Sequence, residues 1–481
     1  MNTYDPCHIH QEEKSMRTPV YRLLQVLLMT SIFYAVLSGQ TADPGIISNE
    51  VLDKIEKSLV IDAPTRGIMN AVSSNDLKTL ALNRNVLENL DHHFAVLIES
   101  GEITDQKSTG RCWLFSALNV IRPAIIKKYQ FKNFEFSENY LFFWDQFEKS
   151  NRFLEAVIET RTRKLDDRQV EWIFKNPLDD GGVWSMMGSL AQKYGVVPKE
   201  VMLESFSSEN TRMMNQLIVK KLREGGYLLR QSNEQGKNEK QLREQKVTIL
   251  SEIYRMLVIC LGEPPREFTW RFKDKNNQLS PYKKYTPQEF YKQYVEEDLN
   301  SYVMLMDDPS KEYNKLYEIE YDRNLWESQN WTFINIPVDR LKQFAKKSLL
   351  AGYPMYFSCD VGEQLYTDRG YLALGIYDYE SLLGVKFGMN KTARILTFDS
   401  GSTHGMALMG MDTAETGHPT KWLLENSWGK EKGNDGFLTM TDDWMTEYMF
   451  RLVVKKDYIP KEVLQILEQR PVKLPPWDPM F

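Results

Sequence analysis

From Cys112 to about residue 346 the apolar residues of this chain recur at helical spacing, whereas beyond it they shorten into brief runs punctuated by glycine. Leu114, Leu118, Ile121 and Ile125 share one helical face, and "GGVWSMMGSLAQKYG" opens on a glycine pair and stops at Gly195. "GYPMYFS", "ARILTF", "KWLLEN", "GFLTM" and "FRLVV" have the length of antiparallel strands. Helices first and strands last make this an α+β chain. Ser137 is a candidate cap for the helix that follows it. Pro123 is expected to kink the helix that begins at Cys112 or to end it near Arg122.

The pattern divides the chain into an extension (1–39), a helical part (40–206), a mostly helical stretch (207–346), a strand-rich part (347–460) and a tail (461–481). The stretch 207–346 is long and charged, and reads either as an inserted unit or as surface helices of one large domain. The extension places Arg17 and Arg22 ahead of the apolar run from Leu23 to Leu37 and then small residues. That is the layout of an export leader, with Met16 as its expected start; an uncleaved anchor and an extension without a targeting role are the alternatives. Export predicts a periplasmic or secreted protein with no stable membrane association once the leader is cut.

The chain sets 60 basic against 66 acidic residues, a formal charge of -6, so nothing favours a nucleic acid partner. Cys7, Cys112, Cys260 and Cys359 fit neither a metal-ligand spacing nor a disulfide framework. No metal and no organic cofactor is implied.

"QKSTGRCWLFSA" at 106–117 puts Cys112 at the first turn of a core helix, where the dipole favours a thiolate. Thiol catalysis also needs a proton carrier and a group that orients it. His8 and His10 would leave with the leader, His92 and His93 stand in the lead-in, and His418 lies in a turn-like stretch. His404, in "STHGMALMGM", begins an alternating run at a strand edge. Asn426, in "ENSWG", can orient it, and the Gln106 amide with the Cys112 backbone N–H can form an oxyanion hole. Singly, each residue has an ordinary structural explanation, and the cysteine alone reads as a buried thiol. The conjunction of all four in this chain order carries the inference.

In these contexts and this order the chain resembles the papain superfamily, with Gln106, Cys112, His404 and Asn426 at the matching positions. His404 lies roughly twice as far from Cys112 as the ~130–150 residues of the papain pattern, so something is inserted. "FSENYLFFWDQFEK", "CDVGEQLYTDRGYLALGIYDYE", "ENSWGKEKGNDGFLTMTDDWMTEYMF" and "LEQRPVKLPPWDP" are similar to the bleomycin hydrolase and aminopeptidase C branch. The resemblance implies a papain-like fold, with a helical domain and a barrel-like β domain, and a thiol aminopeptidase acting on peptides with a free amino terminus. It also implies a homohexamer, and a cleft lined by Gly181 and Gly182. By composition the proline-rich tail reads as disordered; the resemblance instead lays it along the cleft, with Trp477 as an anchor and the Phe481 carboxylate facing the substrate amine. A papain-type endopeptidase without that restriction is the alternative, and a non-catalytic scaffold a third. Most of the branch is cytoplasmic, which conflicts with the leader.

Overall fold

The computed structural model describes residues 43–480. The leader read in residues 1–39 and the terminal Phe481 lie outside the described residues. Residues up to Asp76 form one unit and those from Leu77 onward a second. The first holds two capped helices, α1 (Asn49–Ser58) and α2 (Ala63–Val72); Ser48 accepts from the Val51 N–H and Asp62 from the Thr65 N–H.

The second unit opens its helical part with α3 (Cys112–Tyr129), α4 (Glu138–Glu159) and α5 (Trp184–Tyr194), followed by α6 (Arg212–Glu234) and α7 (Glu239–Leu261). Ser137 caps α4, its hydroxyl accepting from the Tyr140 N–H at 3.1 Å. Pro123 does not end α3, which continues to Tyr129 and stops where Gln130 takes φ 53°. An internal proline costs a helix about 3 kcal/mol. Every residue from 113 to 123 is buried, and that packing outweighs the lost bond.

The strands are β1 (Tyr302–Met306), β2 (Lys315–Ile319), β3 (Thr332–Asn335), β4 (Met355–Cys359), β5 (His404–Thr413), β6 (Pro419–Glu425), β7 (Phe437–Thr441), β8 (Met449–Lys455) and β9 (Val472–Leu474). They form one mostly antiparallel sheet in the order β9-β2-β3-β1-β8-β4-β5-β6-β7, extended past β7 by two short strands. The stretch 207–346 is therefore not the mostly helical unit its texture predicts: beyond Leu261 it also supplies β1, β2 and β3. Each of these has only four or five residues, and the charges around them imitate helical spacing. "ARILTF" is a second correction, being a helix over Lys391–Leu396. The Asn390 side chain caps it by accepting from the Ala393 N–H at 2.9 Å. Leu396 and Phe398 are exposed, so the segment lacks the alternate burial that holds a strand.

Strand alternation separates two cores. Tyr356, Ala407 and Met409 pack with the helices α3 to α7, while Phe357, Met406 and Leu408 pack on the opposite face with the helix α8 (Val338–Leu350). α3 lies directly against β5, which brings its amino terminus to the start of that strand.

Candidate active site

The loop before α3 is fastened at both ends. The Gln106 N–H donates to the Ser427 carbonyl at 2.8 Å, and the fully buried Arg111 forks onto Glu204 at 3.1 and 3.0 Å. Arg111 occupies the cap position of α3 without a side-chain cap bond; its carbonyl accepts from the Leu114 N–H at 2.9 Å, and the Trp113 N–H turns to Cys112. Gln106 is held from two sides. Its Oε1 accepts from the Ser427 hydroxyl at 2.7 Å and its Nε2 donates to the Thr109 carbonyl at 2.7 Å, leaving one amide hydrogen beside the cleft.

His404 is the first residue of β5, opposite Cys359 on β4. Its Nε2 lies 2.8 Å from Asn426 Oδ1, in the turn that follows β6. The same Oδ1 accepts the Ser427 N–H at 2.8 Å, which fixes the amide orientation and makes His404 Nε2 the donor. The remaining nitrogen, Nδ1, is left for Cys112, to which the imidazole is hydrogen-bonded. The Trp428 ring, 4.8 Å from the imidazole between centroids, packs beside this bond.

Burial alone would push the Cys112 thiol up, but the charge and hydrogen bond of His404, with the backbone N–H groups of Gly405 and Trp113, bring it below its ordinary value. Burial would likewise lower His404, yet Cys112 and Asn426 raise it. Each group therefore holds its neighbour in the charged form, a thiolate beside an imidazolium. His404→Gln removes this support, and the pH at which Cys112 becomes alkylatable should move upward. Alkylation of Cys112 followed by mass against pH reads the shift; an unmoved profile would mean that His404 does not hold the thiolate.

Cys112 and His404 open onto a cleft of about 610 Å³ that Gln106, Gly181 and Gly182 also line. A Cβ on Gly182 would stand 2.6 Å from Trp113 Cε2, so the missing side chain is what lets the indole lie there. The indole N–H donates to the Asp180 carbonyl at 2.7 Å. Sequence reasoning missed Lys149, which is buried beneath this wall, pairs with Asp145 at 2.8 Å and Asp179 at 3.4 Å, and donates to the Gly181 carbonyl. The four-residue step from Asp145 to Lys149 was the available signal.

The tail is ordered by pairing. β9 runs parallel to β2, Asp478 meets Lys311 at 3.0 Å, and the Trp477 ring lies 4.3 Å from the Arg168 guanidinium. Arg451 Nη2 donates to the Met480 carbonyl at 2.8 Å, and Pro479 and Met480 line the cleft that holds Cys112. The structure thus brings together Gln106, Cys112, Gly181, Gly182, His404 and Asn426, whereas Phe481 falls outside the described residues. Among the described residues no cluster of side chains could hold a metal ion, and no helix is long and apolar enough to cross a membrane.

Residues 46–481 match the Peptidase C1-like family. Aminopeptidase C of Lactococcus lactis subsp. lactis (strain IL1403) is 37% identical over 439 residues, covering 90% of this chain and 99% of the relative. Bleomycin hydrolase of Homo sapiens is 39% identical over 422 residues, 85% of this chain and 93% of the relative. The crystal structure of PepW from Lactobacillus rhamnosis HN001 superposes with a TM-score of 0.88 at 34% identity, covering 91% of this chain and 99% of that one.

Proposed function

The chain belongs to the Peptidase C1-like family and is a cysteine peptidase, and on that premise we propose that it removes residues from the amino terminus of peptides through Cys112, His404 and Asn426. The observation that carries this reading is the position of His404, hydrogen-bonded to Cys112 and, through its other nitrogen, to Asn426 at 2.8 Å. The Cys112 thiolate attacks the carbonyl carbon of the first peptide bond. The resulting oxyanion takes hydrogen bonds from the Cys112 N–H and the spare Gln106 amide hydrogen. As the C–N bond breaks, the His404 imidazolium protonates the leaving amine, and a thioester remains. A water molecule then attacks the thioester, giving its proton to His404, and the released thiolate recovers the starting pair.

Restriction to the amino terminus rests on the tail. Pro479 and Met480 border the cleft of Cys112, and in this reading they take the space an extended substrate would need on the amino side of the cut. Gly181 and Gly182 offer a wall without side chains along which the substrate backbone can lie. Deleting the residues after Pro475 should convert a peptide with a blocked amino terminus from resistant to internally cut. If the full-length chain already cuts the blocked peptide, the protein is an endopeptidase and the tail imposes no restriction. The reading also takes the chain to act on peptides with a free amino terminus, as a homohexamer, exported by the leader in residues 1–39. The last two rest on the sequence and its resemblance alone.

A further inference from the structure

Away from the cleft the tail is fastened several times over. β9 pairs with β2, Trp477 lies on Arg168, and Asp478 meets Lys311, which is itself paired with Asp308 at 2.7 Å. Nearer the cleft the fastening thins. The Met480 N–H donates to Asp478 Oδ1 at 3.1 Å, a bond internal to the tail, while the Met480 carbonyl accepts from Arg451 Nη2 at 2.8 Å. Among the described residues, Arg451 is thus the side chain from outside the tail that hydrogen-bonds its last peptide groups.

Arg451 is set in place before it meets the tail. It stands on β8 opposite Ser358 of β4, and both residues line the cleft of Cys112. The side chain is buried, with its guanidinium 4.4 Å from the Trp331 ring. The Trp331 N–H donates to the Asp322 carbonyl at 2.6 Å, so the ring and the acid share one support. Burial pushes the Asp322 carboxyl up to about 7, and Arg451 leads the cations that oppose the rise. Burial also lowers Arg451, against which Tyr356, Asp322 and Cys112 hold its charge. A planar cation ordered in this way loses little further freedom on gripping a carbonyl, and a charged donor grips it more strongly than a neutral one.

We propose that Arg451 is the positioning residue that seats the end of the chain in the catalytic cleft. It acts through the Met480 carbonyl, fixing where the tail stops and so how much of a substrate the cleft admits ahead of the cut. That consequence for substrates rests on the aminopeptidase reading; the seating of the tail does not.

Carboxypeptidase digestion of the full-length Cys112→Ala chain, followed by mass, reads the seating without any activity of the protein itself. The exopeptidase can take Phe481 and then Met480 only from a tail that has left the cleft, so its rate follows the open population. Arg451→Met should speed the loss of Met480 by about tenfold or more, and Arg451→Lys, which keeps a charged donor, should stay closer to the parent. Arg451→Met also strips a cation from the buried Asp322, so Arg451→Met with Asp322→Leu is measured beside it and should release Met480 as fast while unfolding thermally near the parent. An unchanged rate of Met480 loss in both variants, or a rise only as the whole chain unfolds, would overturn the proposal. In the active chain, either variant should raise kcat/KM for a peptide with a blocked amino terminus relative to one with a free amino terminus, whereas general damage would lower both alike. If the chain cut after Pro475 also leaves the blocked peptide whole, it is the restriction by the tail that fails, and the carboxypeptidase rates still decide the role of Arg451.

Discussion

Replacing Cys112 with alanine should lower peptide turnover by a factor of about 10⁴ or more while leaving the fold in place. The expected size follows from the absence of a substitute. Cys359, the thiol opposite His404 in the strand register, is fully buried and is pushed well above its ordinary value, first by burial and then by Asp360 and Cys112. It can supply no thiolate to the cleft. Cys112 is itself only partly buried, and none of the bonds that fasten the preceding loop involves its side chain. Thermal unfolding of the variant should therefore stay close to that of the parent chain. Residual turnover within tenfold of the parent would remove Cys112 from the mechanism.

Arg122→Met should destabilise the protein by about 3–5 kcal/mol, because it strips the partner from a buried charge. Arg122 lies on α3, and its Nη2 is 2.7 Å from Glu425 Oε1, with the two side chains 1% and 0% exposed. Its Nη1 also donates to the Glu102 carbonyl at 2.9 Å. This ion pair ties the helix that starts at Cys112 to the strand that ends just before Asn426, so the variant should lose activity as well as stability. The pH dependence has a definite sign. Burial raises Glu425 above its ordinary value and Arg122 opposes that rise. A carboxyl raised in the folded state stabilises least at high pH, and without Arg122 it is raised further. The deficit of the variant should thus be smallest near and below the ordinary carboxylate range and grow as the pH rises above it. Denaturation midpoints at acidic and at neutral pH check this, and Arg122→Met with Glu425→Leu should recover most of the loss. A variant as stable as its parent at neutral pH would show that the pair is not what joins these elements.

The candidate constellation of Gln106, Cys112, His404 and Asn426 was legible because the four residues sit in local contexts that survive without knowledge of the fold. A cysteine at a helix start, a histidine opening a strand and an asparagine ahead of a tryptophan are properties of short segments. The helix caps at Ser137 and Gly195 were legible for the same reason. The walls of the cleft were not. Lys149 and Arg152 come from α4, Asp322 from a turn and Arg451 from β8, and in sequence each resembles an ordinary solvated charge. Their burial is decided by the sheet order, which places β8 between β1 and β4 and so brings Arg451 toward the cleft. β1, β2 and β3 were hidden for a related reason: they are short, and two of the pairings that hold them, β1 with β3 and β2 with β9, are parallel contacts between distant segments. Propensity also misled at Pro123 and in "ARILTF", where tertiary packing and a side-chain cap decided the outcome.

The proposed function has a thiolate at Cys112 cut peptides from their amino ends beneath the chain's own tail. It is tested most directly by following an unlabelled peptide mixture by mass spectrometry during digestion by the purified chain under reducing conditions. Loss of one amino-terminal residue after another, abolished in Cys112→Ala, is the predicted result. Fragments from internal cuts as the first products, or digestion that persists in Cys112→Ala, would contradict it.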